Sequence, residues 1–456
     1  MPRDNRYILN PFAADDASLP TVDASNLRAQ ALALLPPLLE CAQRGQMPRS
    51  NGDWRRDQSV YVGLGGVALA LLRVGLATAN GDDYVMQARE IAERCLAVEE
   101  HSGVSPHLRP VSFYCGTPGA LAIVAVASNA CGDADARDAA CDRLLTLQPL
   151  AEDHKEDELL FGRAGYLYAL LWVREHVDSA HFDPRAALAA VAERTVASGK
   201  ARAAALHAHA RKRREVDADG PWPLLWTCFG RPYLGAAHGA MGILAMLLHC
   251  ARLGCLSPPS CALVDATLRR LLALRFADGN VPTALGRGES DGLVHWCHGA
   301  PGLPALLASA LGFGGGGVSI GSSSSSGSLA QACTVPREAL LAAARAAADV
   351  VWTCGLLTKG YGLCHGVCGN GYAFLTLHRL TGEEAQLGRA FAFATLLGDE
   401  GFARVVAETD DPQRKVRGLP DSPQSLMEGD AGVVCYLLDL ARVADGGAAA
   451  FPGWEL

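Results

Sequence analysis

An excess of basic charge is the first thing this sequence lacks. Its 40 Lys and Arg stand against 48 Asp and Glu, a formal net charge of −8 over 456 residues. A nucleic-acid binder normally shows a basic face, so that class of partner is not expected. One basic run exists, Arg211-Lys212-Arg213-Arg214, and it reads as a solvated loop. No apolar stretch approaches 18 residues free of charge, so no transmembrane segment is expected, which leaves peripheral association with a membrane surface open. The N-terminus, Met1-Pro2-Arg3-Asp4-Asn5-Arg6, has no apolar core of a signal peptide. Pro2 stands where myristoylation would need glycine. Period-two alternation is rare, so strands should be few. Cysteine is not scarce, but its 15 copies are odd in number and scattered without a secretory pattern. Thiols and metal ligands in a reducing, cytoplasmic compartment are expected rather than disulfides.

What is present is repetition. A Gly-x-x-Gly element followed by an apolar run occurs seven times, beginning at Gly63, Gly116, Gly162, Gly239, Gly299, Gly366 and Gly429. The intervals are irregular, so the pattern is one architecture with variable loops. The runs after the glycines are apolar nearly all round, which marks buried helices. Between them, Tyr84 to Val98, Asp183 to Val196, Leu263 to Phe276 and Pro336 to Trp352 are amphipathic at helical spacing. Buried and amphipathic helices therefore alternate. The fold class expected is all-α, with seven inner and seven outer helices in two concentric rings, each glycine pair letting backbones approach where the inner helices converge. Length alone would suggest two or three domains. A repeat ring escapes that rule, because each repeat adds its own slice of core, so residues 1–456 read as one domain. Gly312 to Ser328 is a Gly/Ser tract too poor in apolar surface to fold, and reads as a flexible exposed insertion.

Three elements carry metal-ligating or acid-base side chains just before the first glycine: His238, Cys297, and the pair Cys364-His365. If the elements are equivalent, these converge at one end of the ring. Cys297, Cys364 and His365 then supply three soft donors of the kind zinc selects, with a fourth position open, which is the pattern of a catalytic rather than a structural site. Cys368 is eligible as a fourth ligand, but it lies where the chain should be entering a helix and reads as a packing residue. His249, His295 and His298 read as ordinary histidines.

Gly235-Ala236-Ala237-His238-Gly239, Trp296-Cys297-His298-Gly299-Ala300-Pro301-Gly302 and Leu363-Cys364-His365-Gly366 with Gly369-Asn370 closely resemble the signature of the lanthionine synthetase C-like (LanC-like) proteins, in particular their eukaryotic glutathione-binding branch. Asp157 to Tyr166, Ser425 to Gly429 and the terminal Phe451-Pro452-Gly453-Trp454-Glu455-Leu456 are similar too. The resemblance covers nearly the whole chain except the Gly/Ser tract. It implies an α/α toroid with one Zn2+ held by two Cys and one His. It also implies addition of the glutathione thiol to dehydroalanine or dehydrobutyrine in proteins, with peptide lanthionine cyclisation and non-enzymatic glutathione binding by an adaptor as alternatives. His238 matches the family's general acid-base histidine. Lys359, Arg6 and Arg417 match cations that would meet the carboxylates of glutathione. Glu158, or Asp157 one residue earlier, stands where bacterial relatives carry an acidic catalytic residue. In chemical terms a free thiol is mostly protonated at neutral pH. Zinc coordination deprotonates it, and the enolate formed by its attack on the alkene needs a proton from a group that titrates near neutrality, as histidine does.

Overall fold

The computed structural model describes residues 6–13, 19–20, 23–105, 107, 109–213, 221–287, 292–312, 333–397 and 420–456. Arg417 and residues 313–328 of the Gly/Ser tract lie outside them.

An apolar helix can be covered on all sides only by other elements, and the sequence supplies seven of them. They are α3 (Leu64–Ala77), α5 (Thr117–Ala130), α8 (Arg163–His176), α10 (Ala240–Arg252), α12 (Leu303–Leu311), α14 (Val367–Thr381) and α16 (Asp430–Ala444). Each packs on the next in that order, and α16 packs back on α3, so the inner ring closes. The outer ring consists of α1 (Ala24–Ala33), α4 (Asp82–Glu100), α6 (Ala134–Thr146), α9 (Arg185–Arg213), α11 (Pro258–Ala273), α13 (Arg337–Cys354) and α15 (Glu384–Ala394). Among these, α4 bridges α3 and α5, and α13 bridges α12 and α14. Two short helices, α2 (Leu35–Arg44) and α7 (Gln148–Asp153), a 3-10 turn at Ala300–Gly302 leading into α12, and a β-ribbon of two residues per strand, Met47–Pro48 with Trp54–Arg55, complete the described elements. The fold is an α/α toroid with seven inner and seven outer helices.

Two local readings are corrected. The basic run is not a loop up to Arg213, because α9 extends 29 residues and carries helix through it. The stretch Ala197 to Arg213 is dense in Ala, Lys and Arg, strong helix formers that continue the helix past Val196. The other concerns the glycine pairs, which do a second job beside the one expected. The first three amides of α14 donate to carbonyls seven residues back: Val367 to Gly360 (3.1 Å), Cys368 to Tyr361 (3.1 Å) and Gly369 to Gly362 (3.3 Å). The loop thus folds under the helix and satisfies N–H groups that would otherwise need side-chain caps. A Cβ at Gly369 would sit on the Leu363 carbonyl oxygen. The expected close approach between repeats is found at Gly66, against Leu426, and at Gly165, against Ser112, and again at Gly371, where a Cβ would strike the Tyr436 hydroxyl of α16.

The hole of the ring is filled by the end of the chain. Phe451 stacks on Trp296 (4.8 Å between ring centroids, 15°), and Trp454 meets Trp296 edge-on at 6.2 Å. Tyr114 Oη donates to the Pro452 carbonyl (2.6 Å), and Glu455 accepts from Thr376 (3.0 Å) and from Arg379. Trp454 is fully buried, so Trp454→Ala leaves a large cavity. It is expected to lower stability by about 3–5 kcal/mol, read as a fall in the urea midpoint; an unchanged midpoint would contradict this packing role.

Candidate functional site

The loops that lead into the inner helices are tied to one another by their backbones. Cys297 N–H donates to Cys364 O (3.3 Å), Cys364 N–H to Met427 O (2.8 Å), Met427 N–H to Tyr61 O (3.1 Å), and Tyr61 N–H to Tyr114 O (3.0 Å). All five residues stand two positions before the first glycine of their element. This shared register places the side chains of successive repeats next to one another.

Cys297, Cys364 and His365 come together, with their ligating atoms all within 4.8 Å of one another. Both cysteines are buried. Tyr61 Oη donates to Cys364 Sγ at 2.9 Å. The Cys364 thiol is held well below the ordinary thiol range, first by its hydrogen bond with Cys297, against the opposing effect of burial, and further by His365 and Tyr61. Cys297 is pushed well up by the same hydrogen bond and by burial. Burial pulls the His365 imidazole down, but the hydrogen bond and charge of Cys364 outweigh it, so its pKa is raised. Two thiols and an imidazole at this spacing suit a soft divalent metal such as zinc, and three protein donors leave room for a fourth. Cys368 is elsewhere, buried in the first turn of α14 near Cys435 and Asp430, where burial pushes its thiol well up.

A second group forms around His238, which is partly exposed. Its Nδ1 is 3.1 Å from Glu158 Oε2 and 3.8 Å from Cys228 Sγ. Phe161 lies nearly parallel to the imidazole at 6.0 Å, and the rings of His298, Tyr233 and Phe229 are also near it. Glu158 is buried, and its two oxygens already accept from Leu160 N–H (2.8 Å) and Phe161 N–H (2.6 Å). A carboxylate held in this way can still accept an imidazole N–H, and the ligating atoms of Glu158, Cys228 and His238 all lie within 4.8 Å of one another. Asp157 turns the other way, to Arg163 and to Ser198 Oγ (2.6 Å). Of the two acidic neighbours, Glu158 is therefore the one beside His238.

A cavity of about 650 Å³ opens beside His238 and is lined also by Tyr61, the residue whose hydroxyl reaches Cys364. The cations expected at the site lie at one edge. The N-terminal segment pairs with the loop before α14: Ile8 N–H donates to Leu356 O (2.8 Å), and Thr358 N–H to Arg6 O (3.0 Å). That pairing brings Arg6 beside exposed Lys359. Both act on His295, whose pKa is pushed down to about 3, mainly by burial, with His365, Lys359, His298 and Arg6 adding to the effect. His249 is buried in the last turn of α10, and burial depresses it as well, to about 3.

Reasoning from sequence passed over Tyr61, Cys228, Phe229 and Glu428. Glu428 appeared only as part of a motif, yet it is close enough to His365 and Cys364 to feel their charge, and burial raises its pKa. Repeat register could have found two of these. Tyr61 occupies the position of Cys297 and Cys364, and Glu428 that of His238 and His365.

Fold and site together define an α/α toroid with a two-cysteine, one-histidine donor set at the mouth of its ring. Residues 55–453 match the family model described as lanthionine synthetase C-like protein, and the chain belongs to that family. It is 32% identical over 404 residues to a zebrafish (Danio rerio) protein named glutathione S-transferase LANCL1, covering 88% of this chain and 86% of the relative. It is 32% identical over 463 residues to LanC-like protein GCL1 of Arabidopsis thaliana, covering 99% of this chain and 93% of that one. Among solved structures it superposes on nisin cyclase with a TM-score of 0.58 at 14% identity, over 92% of this chain and 95% of the other, a likeness of fold.

The donor set predicts about one equivalent of bound metal per purified chain, measured by elemental analysis. Cys364→Ala should lose most of it. Retention of a full equivalent by that variant would remove Cys364 from the donor set.

Proposed function

We propose that this protein adds the thiol of glutathione to dehydroalanine and dehydrobutyrine residues in proteins. In this reading the toroid works as one domain, and a zinc ion is held by Cys297, Cys364 and His365. The observation that carries it is the meeting of three soft donors, a His–Glu pair and a cationic rim around one mouth. The name of the zebrafish relative supports glutathione as the thiol. We place the protein in the cytoplasm, since none of its fifteen cysteines is in a disulfide, as a reducing compartment requires; no helix among the described residues is long and apolar enough to cross a membrane.

When bound, the zinc supplies a position at which an incoming thiol loses its proton at neutral pH. The protein's own groups do the rest. Lys359 and Arg6 pair with the two carboxylates of glutathione and orient its sulfur, and Arg417 is a further candidate for that task. As the carbon–sulfur bond forms at the β-carbon, the alkene π pair moves toward the neighbouring amide, and the α-carbon then takes a proton. His238 delivers it. Glu158 holds Nδ1–H, which fixes the tautomer and leaves Nε2 facing the substrate. Tyr61, donating to Cys364, keeps the sulfur cluster oriented toward the cavity.

The test is incubation with glutathione and a dehydroalanine peptide, followed by mass spectrometry. A mass gain of one glutathione, well above the uncatalysed background, is expected. His238→Gln should keep its metal and lose roughly 10²-fold or more in kcat/KM. Glutathione binding without any adduct would favour an adaptor. Ring closure within a cysteine-containing peptide, with no coupling of free glutathione, would favour a cyclase.

A further inference from the structure

Phe229 is costly in two ways. It is the only non-glycine residue with positive φ among the described residues (50°), and its side chain is 74% exposed. It sits with Gly230 (φ 73°) at the tip of a tight turn whose ends, Cys228 and Arg231, exchange both backbone hydrogen bonds at 3.0 Å. Two successive left-handed residues make the kind of turn that Asn-Gly fills without strain, and a phenyl group there is unfavourable. Strain and an unburied aromatic at one residue point to a job outside the folded core. The ring meets Phe161 edge-on at 6.0 Å and His238 at 6.2 Å. Both phenyl rings line the cavity shared by His238 and Tyr61.

The same cavity is lined by Asp57 and Glu99 and, among the described residues, by no lysine or arginine. Asp57 is fixed by Ser59 and Glu99 by Thr117, and Arg109 acts on Glu99 from outside the lining. Lys359 and Arg6 are not part of that lining and act instead at His295, beside His365. The mouth therefore has one cationic edge and one acidic, aromatic edge. A doubly carboxylated thiol is drawn to the first and repelled by the second.

We propose that the Phe161–Phe229 platform, with Asp57 and Glu99, is the subsite for the acceptor polypeptide. It takes an extended segment that carries an aromatic side chain and a basic side chain close to the reacting dehydroamino acid. This rests on the coupling reaction proposed above and specifies its acceptor. An extended chain advances about 3.3 Å per residue, so a side chain one or two positions from a residue at His238 spans the 6.2 Å to Phe229. Lysine or arginine nearby meets the two carboxylates, and the phenyl rings hold the apolar neighbour.

The test uses four dehydroalanine peptides of equal length, with Phe or Ser next to the reacting residue and Lys or Glu two positions away. Their unreactive alanine counterparts serve as binding probes. Wild type should prefer the Phe/Lys peptide at least tenfold over Ser/Glu, both in kcat/KM for coupling and in Kd of the alanine probe. Phe229→Gly should erase the Phe preference through KM, with glutathione affinity and metal content unchanged. Because glycine relieves the left-handed turn, that variant should also melt at a higher temperature, which separates recognition from a structural role. Glu99→Gln should narrow the Lys-over-Glu preference. Alanine probes that show the preference without any coupling would support the subsite while sinking the reaction. Equal binding and coupling of all four peptides, or a Phe preference that survives Phe229→Gly, would overturn it.

Discussion

The site depends on a backbone constraint: five of the seven helix-entry loops are hydrogen-bonded in series at the residue two positions before the glycine. Cys297, Cys364, Met427, Tyr61 and Tyr114 are linked in that order by single N–H···O=C bonds. Such bonds fix register, since a shift of one residue would turn every side chain away from its partner. With the register set, the two sulfurs and the Tyr61 hydroxyl have to meet. The loops can lie this close because they fold back under their own helices. That route puts the Leu363 carbonyl where a Cβ of Gly369 would be. Glycine at that position is therefore tied to the metal-binding geometry through backbone packing, without touching the sulfurs.

From the other side the loops rest on the chain's own C-terminus. Trp296, one residue before Cys297, is stacked on Phe451 and touches Trp454. Tyr114, the last residue of the hydrogen-bonded series, holds the Pro452 carbonyl. The segment is anchored by Glu455, a buried carboxylate satisfied by Arg379, Thr376 and the Phe451 amide. A buried ion pair of this kind gives little net stability compared with apolar packing, but removing one partner leaves an uncompensated charge. Its value here is placement: one seating of the terminal segment, and hence one floor under the sulfur cluster.

Much of this was legible in the chain. Seven glycine elements gave the inner ring, and equivalence between repeats put Cys297 beside Cys364 and His365. What escaped was set by contacts that no local pattern carries. Tyr61 meets Cys364 across 303 residues of sequence, and His238 selects Glu158 across 80. Either Asp157 or Glu158 was eligible until their directions were known, and they diverge because adjacent side chains leave the loop on opposite sides. The length of α9 was missed because its second half is helical by propensity rather than by an apolar face. Phe229 carried no signal at all, since a turn that favours Asn-Gly gives no warning of an aromatic at its tip.

All seven inner helices begin at the mouth, and their aligned dipoles are one source of field that favours a thiolate there. The wiring limits it. The amides that would carry the positive end at α14 are spent on the carbonyls of Gly360, Tyr361 and Gly362. A helix terminus is worth about 0.3–1 kcal/mol to a nearby charge at an exposed site. A hydrogen bond to a charged group contributes about 1.5–3 kcal/mol. Cys364 accepts from the Tyr61 hydroxyl and interacts directly with Cys297 and His365. Specific donors therefore outweigh the general field. The ring contributes less by its dipoles than by bringing residues from its first, fifth and sixth repeats within reach of one sulfur.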